Sequence, residues 1–362
     1  MGRELRTPHP FLIVAAVGVV IALCHVVSAE ALRLNSAVPD HDGDVTAVAF
    51  SPDGQILASA GTDGAINLWR VSDGGLIRSL QDDSGQVLSL SFAPKGDLLA
   101  SVSLDRVIRL WDPKTTTVRR VSDGRYPSEG VSFSPDGKRL FVSTSDEDAF
   151  SVFDVLTGRK IYDVPLLRDA RPLQRGDSSP LRGNSCRVDF VALSHDGKLI
   201  ASSDICGTVA LRKAEDGAFL RTFERQYSYP GFVPAPRAGK TTLAFSADDT
   251  VLAGGSGDSV VVWNVSTGKE STRLEAHQGH IAAVAFPQSQ MATLVTGSWN
   301  GAVTLWSLRK RQPEWTYTIE GNGGVAMIND VAFAADNSLI AVAYWKHATL
   351  INAHTGKIAD LQ

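Results

Sequence analysis

Two short motifs contain residue types that could bind a phosphate group or a metal ion. Gly239-Lys240-Thr241 looks like the end of a phosphate-binding loop, but that loop needs another glycine where Pro234 stands and a helix afterwards. Three aspartates alternate over residues 40–44 as the first ligands of a calcium loop do, yet Ser51 replaces the bidentate glutamate that would complete it. We therefore expect ordinary loop and strand residues at both places.

Motifs for covalent or redox catalysis are missing from the sequence. It has no Gly-x-Ser-x-Gly, His-Glu-x-x-His or Cys-x-x-Cys-His segment, so neither a nucleophile nor a haem site is indicated. The polar residues must then be explained by the elements that carry them. We predict that the protein is not an enzyme and has no cofactor.

The first 29 residues have the order of a secretory signal peptide. A basic start with Arg3 and Arg6 precedes an uncharged run over residues 11–24, and Val27-Ser28-Ala29 offers a small-residue cleavage site. An uncleaved membrane anchor is the alternative, but a span needs about 20 apolar residues and this run is shorter. We predict cleavage after Ala29 and a periplasmic or secreted protein with no further membrane contact.

The rest of the chain, residues 30–362, exceeds the size of about 250 to 300 residues at which single cores stop growing, so it needs either two domains or a repeated architecture. Its charges are interspersed, the whole chain has a net charge of -4, and no long basic run occurs. Nucleic acid is therefore not expected as a partner.

A repeat decides between these two possibilities. Val-Ala-Phe-Ser-Pro-Asp-Gly at 48–54 recurs as Leu-Ser-Phe-Ala-Pro-Lys-Gly at 90–96 and Val-Ser-Phe-Ser-Pro-Asp-Gly at 131–137. Seven copies follow one another, marked in order by Phe50, Phe92, Phe133, Leu193, Phe245, Phe286 and Phe333. Each marker precedes a turn and then short alternating apolar segments, which is typical of antiparallel β-meanders.

Four strands in each unit of about 40 to 45 residues predict an all-β fold, a seven-bladed β-propeller of four-stranded antiparallel blades. The blades are expected at about 41–80, 81–121, 122–165, 184–224, 240–276, 277–318 and 319–362. Two insertions, 165–184 and 224–240, precede the first strands of blades four and five, so both are expected on one face, and insertions confined to one face often mark the working face of a repeat protein. Disordered decoration is the alternative, above all for the first insertion, which is rich in Arg and Pro.

The blades resemble those of the WD-repeat family, which place a His before the first strand, a Ser or Thr in the second, an Asp in the next turn and a Trp in the third. Blade one carries all four residue types. The resemblance implies structural tetrads formed by His41, Ser59, Asp63 and Trp69 in blade one, Ser101, Asp105 and Trp111 with Asp83 at the His position in blade two, and His277, Thr296, Asn300 and Trp306 in blade six. Blade five retains Trp263, whereas blades three, four and seven have Phe153, Arg212 and Ile351 near that position.

Two further features are implied by the resemblance. One terminus is expected to supply the outer strand of blade seven, and residues 31–35 and 357–361 both fit this role. Blade four, which has lost its polar set, places Cys186 and Cys206 in two loops that touch in the family, so we predict a disulfide between them. Closing a loop of about 20 residues would stabilise the fold by about 3 kcal/mol. Two separate thiols are the alternative.

The blade alignment also brings acidic and amide residues beside the central channel, where some other propellers, including calcium-dependent lactonases, bind a metal ion. These residues are Asp44, Glu129, Asp189, Asn329 and Asp330. A polar, water-filled channel explains them equally well, and no metal site is predicted.

The family resemblance implies a protein or peptide partner on the face formed by the loops before the first strands and the turns between the second and third strands. We predict partner-binding residues on this face at Trp299, Trp345, His280, Met327, Asn329 and Arg187. The two tryptophans are expected to form an exposed aromatic patch, unless one folds back onto its own blade. The function expected is a non-catalytic binding scaffold outside the cytoplasm. The alternatives are a metal-dependent hydrolase with a cation in the channel and an accessory subunit of an exported redox complex.

Overall fold

A computed structural model provides the structure of the chain, which forms two compact units, Met1–Glu30 and Ala31–Gln362. The structure describes residues 41–82, 85–122, 128–144, 149–165, 188–204, 209–223, 243–275, 279–289, 292–321 and 324–359. All of them lie in the second unit. In this part of the chain, no helix is long and apolar enough to cross a membrane.

The described residues form only β-structure, with antiparallel sheets that follow one another along the chain. Blade one contains β1 (Val45–Phe50), β2 (Ile56–Gly61), β3 (Ile66–Arg70) and β4 (Leu76–Leu80). Blade two contains β5 (Val87–Phe92), β6 (Leu99–Ser103), β7 (Ile108–Trp111) and β8 (Val118–Arg120). Blade three contains β9 (Ser128–Phe133), β10 (Arg139–Thr144), β11 (Ala149–Asp154) and β12 (Lys160–Pro165).

The next three blades repeat this order. Blade four contains β13 (Val188–Leu193), β14 (Leu199–Asp204), β15 (Val209–Lys213) and β16 (Phe219–Thr222). Blade five contains β17 (Leu243–Phe245), β18 (Val251–Ser256), β19 (Ser259–Asn264) and β20 (Glu270–Glu275). Blade six contains β21 (Ile281–Ala285), β22 (Thr293–Ser298), β23 (Ala302–Ser307) and β24 (Gln312–Thr318).

A two-stranded hairpin, β25 (Glu320–Gly321) and β26 (Gly324–Val325), precedes blade seven, which contains β27 (Ile328–Phe333), β28 (Leu339–Tyr344) and β29 (His347–Asn352). Each blade is an antiparallel meander of consecutive strands. The prediction of a seven-bladed β-propeller is thereby confirmed.

The repeated Ser-Pro-Asp-Gly segment forms the turn between the first and second strands. In blade one, Ser51 Oγ donates to Asp53 Oδ1 at 2.5 Å and accepts the N–H of Ile56 at 2.9 Å. Gly54 has φ 70°, a left-handed conformation that glycine adopts without steric cost. These local bonds explain why this segment recurs wherever a blade turns from its first to its second strand.

The core lies between neighbouring blades, where the second and third strands are buried. Two kinds of side-chain bond also join one blade to the next. Near the channel, Thr46 donates to the Val87 carbonyl at 2.5 Å. At the outer rim, Tyr162 Oη in β12 donates to the Ala214 carbonyl of blade four at 2.6 Å. Equivalent rim bonds reach the next blade's turn from Arg78, Arg119, Arg221 and Trp315. We call these five contacts the rim bonds.

Blade seven begins its fourth strand with C-terminal residues. Ile351 forms a bridge with Ile358, and the N–H of Ala359 donates to the Leu350 carbonyl at 2.9 Å. Ala359 is buried in a cluster with Val45 of blade one. Of the two segments expected to compete for this place, 357–359 therefore lies beside β29, and 31–35 is outside the described residues.

Candidate functional site

The loops before the first strands and the turns between second and third strands form one face of the propeller, which we call the loop face. In blade one, a chain of hydrogen bonds fixes this face. His41 Nδ1 lies 2.9 Å from Asp63 Oδ2 and His41 Nε2 lies 2.9 Å from Ser59 Oγ, while Trp69 Nε1 donates to Ser59 Oγ at 2.8 Å. The structure thus brings together all four members of the predicted tetrad.

A serine, a histidine and an aspartate in this order could in principle form a nucleophilic triad. Burial excludes that role here, because Ser59 has 0% exposure and His41 4%, and the Ser59 oxygen already accepts the indole N–H of Trp69. A substrate carbonyl cannot reach the hydroxyl. The arrangement holds the loop before β1 against the turn after β2.

Blade two replaces the histidine by an ion-pair network. Arg109, which is buried, donates to Asp82 at 2.7 Å and to Asp105 at 2.5 Å, and Arg120 also binds Asp82. The sequence assigned Asp83 to the histidine position, but Asp83 lies outside the described residues and its neighbour Asp82 makes the contact. Trp111 Nε1 donates to Ser101 Oγ at 2.8 Å, as in blade one.

In blade six the structure describes three of the four predicted tetrad residues. Trp306 Nε1 donates to Thr296 Oγ1 at 2.9 Å, and Asn300 Oδ1 accepts the N–H of Ala302. His277 is outside the described part of the chain. In the other blades, the residue at the position of these tryptophans also pairs with an apolar residue near the start of the second strand. These residues are Phe153, Arg212, Trp263 and Ile351.

Trp299 of blade six lies on the loop face and stacks against His280. The ring centroids are 4.5 Å apart with an interplanar angle of 50°. The backbone N–H of Trp299 donates to the backbone carbonyl of His280 at 2.9 Å. Both residues are half-buried rather than exposed. The indole Nε1 of Trp299 is buried without a hydrogen-bond partner among the described residues, so the pair is only partly accessible to solvent.

Trp345 occupies the two-residue turn between β28 and β29 with φ 37°, a left-handed conformation that a bulky residue rarely adopts. Its carbonyl accepts the N–H of Val45, the first residue of β1. The same turn in blade five has Gly257 with φ 63°, whose carbonyl accepts the N–H of Ile281. Trp345 is half-buried and packs against the core cluster of blades six and seven, so this indole does fold partly onto its own blade.

Among the residues that the structure describes on the loop face, the exposed large apolar side chains are Leu104, Val325 and Met327. Met327 was predicted, whereas Leu104 and Val325 were missed. Leu104 is 54% exposed, and its N–H bonds to Gln86 as the N–H of Trp299 bonds to His280. An alignment of Ser103-Leu104-Asp105 with Ser298-Trp299-Asn300 would have indicated that Leu104 occupies the position of Trp299. The hairpin β25–β26, which holds Val325, has no counterpart in the repeat pattern.

The channel residues that the structure describes are engaged in blade packing. Asn329 Nδ2 donates to the Val45 carbonyl at 2.7 Å, and Asp330 Oδ2 accepts the N–H of Val48 at 3.1 Å. Asn329 therefore joins blades seven and one, as Thr46 joins blades one and two, and its predicted role in partner binding stays a prediction. Asp44 is exposed, and nothing is described of the Glu129 and Asp189 side chains. Within the described ranges, no group of three His, Cys, Asp or Glu residues could hold a metal ion.

Several predicted features lie outside the described residues. They are the cysteine pair Cys186 and Cys206, Arg187, and the interiors of both insertions. The disulfide and the role of Arg187 therefore stay predictions.

Comparison with known proteins agrees with this geometry. The sequence profile of the family "WD domain, G-beta repeat" matches residues 33–70, 74–112 and 268–307, which include the tetrad residues of blades one, two and six. The chain is 33% identical over 132 residues to WD repeat-containing protein SL1-17 of Schistosoma mansoni, covering 36% of this chain and 44% of that protein.

Two other relatives match shorter parts. The Periodic tryptophan protein 2 homolog of Neurospora crassa is 30% identical over 121 residues, which is 33% of this chain and 13% of the relative. Small ribosomal subunit protein RACK1z of Arabidopsis thaliana is 43% identical over 49 residues, covering 14% of this chain and 15% of the relative. The chain thus spans less than half the length of each of these relatives. The family model thus matches WD40 repeats in blades one, two and six of the seven-bladed propeller.

Proposed function

We propose that this protein is a non-catalytic scaffold that binds a protein or peptide on the loop face of blades six and seven. The observation that carries the proposal is the strained Trp345. An indole is kept in a left-handed turn where blade five uses glycine, and such strain costs of order 1–3 kcal/mol. Residues in sparsely populated backbone conformations cluster at binding sites, and Trp345 is the aromatic residue among the six non-glycine positions with positive φ in the described chain.

The neighbouring side chains support a docking role. Met327 and Val325 are exposed apolar residues on the segment that leads into β27, and Ile328 of that strand pairs with Tyr344, which precedes Trp345. Trp299 adds an aromatic edge from blade six, held by His280. Rigid aromatic groups surrounded by apolar contacts are typical anchors of protein interfaces. We call Trp299, Val325, Met327 and Trp345 the loop-face patch.

The proposed location is outside the cytoplasm, after cleavage of the signal peptide. The basic start, the apolar run over 11–24 and the small residues before Glu30 support this location, and the predicted disulfide between Cys186 and Cys206 would suit an oxidising compartment. Nucleic acid is not the proposed partner, because positive and negative charges are interspersed and the net charge of the chain is -4.

The two alternatives have less support. A lactonase-like hydrolase would need ligands in the channel, but Asn329 Nδ2 and Asp330 Oδ2 each form a hydrogen bond to blade one. An accessory role in an exported redox complex is compatible with a binding scaffold and would be decided by the partner's identity.

Affinity capture from the exported fraction, followed by mass spectrometry, tests the proposal. We compare the parent protein with the double variant Trp299→Ala, Trp345→Gly, in which glycine suits the left-handed turn. Lys269→Ala, which changes an exposed residue in the blade-five turn on the opposite face, is the matched control. We expect the control to retain the partner and the double variant to lose it. Capture of the same proteins by the folded double variant would refute the assignment.

A further inference from the structure

Exposed apolar side chains also occur on the outer rim of the propeller, away from the loop face. They are Val118 in β8, Leu156 in the turn after β11, Ile161 in β12, and Phe219 and Leu220 in β16. Leu156 is 87% exposed, Ile161 48% and Phe219 43%. We call these five residues the rim patch; all belong to the consecutive blades two, three and four.

The repeat supplies its own comparison, because the same positions can be read in other blades. The pairing of the outer strand with the third strand shifts by one residue in blades three and four, which leaves one outer-strand residue unpaired. This residue is Ile161 in blade three and Leu220 in blade four. The equivalent extra residue is Ser271 in blade five and Glu314 in blade six, and the outer strands of those two blades contain no exposed large aliphatic or aromatic residue. Blades five and six therefore form without an apolar residue at this position, whereas blade one has the half-buried Ile77 there.

Rim bonds hold the parts of the patch beside one another. Arg119, next to Val118, donates to the carbonyls of Val155 and Leu156. Tyr162, next to Ile161, donates to the carbonyl of Ala214 in the turn that leads to Phe219. The rim bonds therefore join the three consecutive blades whose outer elements carry the rim patch.

Opposite charges flank the patch on neighbouring blades. Arg159 is exposed beside Leu156 in blade three, and Glu215 is exposed in the blade-four turn before Phe219. Neither side chain forms an ion pair with another described residue. In a two-fold dimer the same surface faces itself, so Arg159 of each copy would meet Glu215 of the other on either side of the apolar centre. The charges beside the rim patch would therefore be complementary between two copies of the chain.

We propose that the rim patch of blades two to four is the interface of a two-fold dimer formed by a second copy of this chain. This proposal is independent of the loop-face proposal. It gives the scaffold two loop-face patches per particle, so a partner with two binding segments would be held by avidity.

Analytical ultracentrifugation of the protein purified after expression of the full chain tests the dimer. We expect a concentration-dependent dimer, and the variants Leu156→Asp and Phe219→Asp should raise its Kd by about tenfold or more. Leu104→Asp changes an equally exposed residue on the loop face and should leave Kd unchanged. Circular dichroism and a thermal melt establish that each variant is folded.

A charge swap makes the test specific to the geometry. Arg159→Glu and Glu215→Arg should each weaken the dimer by about tenfold, since like charges then face one another, and the double variant should restore it. A parent protein that stays monomeric at all concentrations would overturn the proposal, as would a double variant no better than the single ones. A monomer that sediments with phosphatidylglycerol vesicles through Leu156 would also overturn it, and would indicate a lipid surface instead.

Discussion

At the scale of single residues, blade two shows how one polar set can replace another. Arg109 and Asp82 take the place of the histidine contact of blade one. Hydrogen bonds from Arg120 and then Arg109 hold the pKa of Asp82 below its ordinary value of 3.8. Burial acts to raise the pKa of Asp105, but hydrogen bonds from Arg109 and Ser103 outweigh it and the pKa is lowered. Both carboxylates therefore favour the folded state when ionised.

This network predicts a specific loss of stability in acid. A carboxylate whose pKa is lowered by folding contributes stability above its unfolded pKa of about 4, and this contribution disappears as the pH falls through the folded pKa. We expect Asp82→Asn to lower the free energy of unfolding by about 2 kcal/mol at neutral pH and to reduce the further loss between about pH 4 and 2. Urea denaturation across this pH range measures both effects. Asp42→Asn, which removes an exposed carboxylate outside the described ion pairs, is the control; equal curves for the two variants would contradict the account.

The second residue-scale prediction concerns the left-handed turns. Because glycine adopts φ 37° without steric cost and alanine does not, Trp345→Gly should be about 1 kcal/mol more stable than Trp345→Ala. Gly257 provides the reciprocal case, since a Cβ there would meet no atom within 4 Å and only the backbone conformation is tested. We expect Gly257→Ala to destabilise the protein by about 1 kcal/mol. Equal denaturation midpoints within both pairs would show that these turns are not strained.

At the scale of elements, the rim bonds are a second device that joins successive blades, outside the apolar core. Each uses a side chain of an outer strand and a carbonyl in the next blade's turn. The sequence pattern did not reveal the rim bonds, because the donor is arginine, tyrosine or tryptophan in different blades. Only the strand register shows that these donors occupy the same position in the outer strand.

Removing one hydroxyl isolates the contribution of a rim bond. Tyr162→Phe deletes the donor to Ala214 and should reduce the free energy of unfolding by about 1 kcal/mol. Tyr317→Phe is the matched control, since this outer-strand tyrosine forms no hydrogen bond through its hydroxyl with the described residues. Thermal denaturation of both variants is the measurement. A control variant that loses as much stability as Tyr162→Phe would mean that the hydroxyl bond is not responsible.

The cysteine pair of blade four is a further prediction at this scale. A disulfide between Cys186 and Cys206 would connect the loop before β13 with the turn after β14 and stabilise by about 3 kcal/mol on the chain-entropy model. Intact-mass measurement of the exported protein, with and without reductant and alkylation, should show two blocked thiols before reduction. Two alkylated cysteines in the unreduced protein would disprove the bond.

At the scale of the whole molecule, the repeat predicted the seven-bladed propeller because each blade encodes the same turn and the same alternation. Bonds between distant residues were harder to predict. The hydrogen bond from the Asn329 amide to Val45 joins blades seven and one, and no local pattern in the sequence indicates which blade closes the ring. The sequence alone already indicates Trp299, Trp345 and Met327 of the proposed loop-face patch, and their role in binding stays a prediction. Val325 was missed because its hairpin interrupts the repeat.

Site-specific crosslinking tests the central claim, that the loop face binds the partner, most directly. A photoreactive amino acid replaces Met327, which is exposed and solvent-facing, and in a second protein it replaces Lys269, in the turn of blade five on the opposite face. After irradiation with the captured partner, we predict a crosslinked product from position 327 and none from position 269. Crosslinking from 269 but not from 327 would contradict the account.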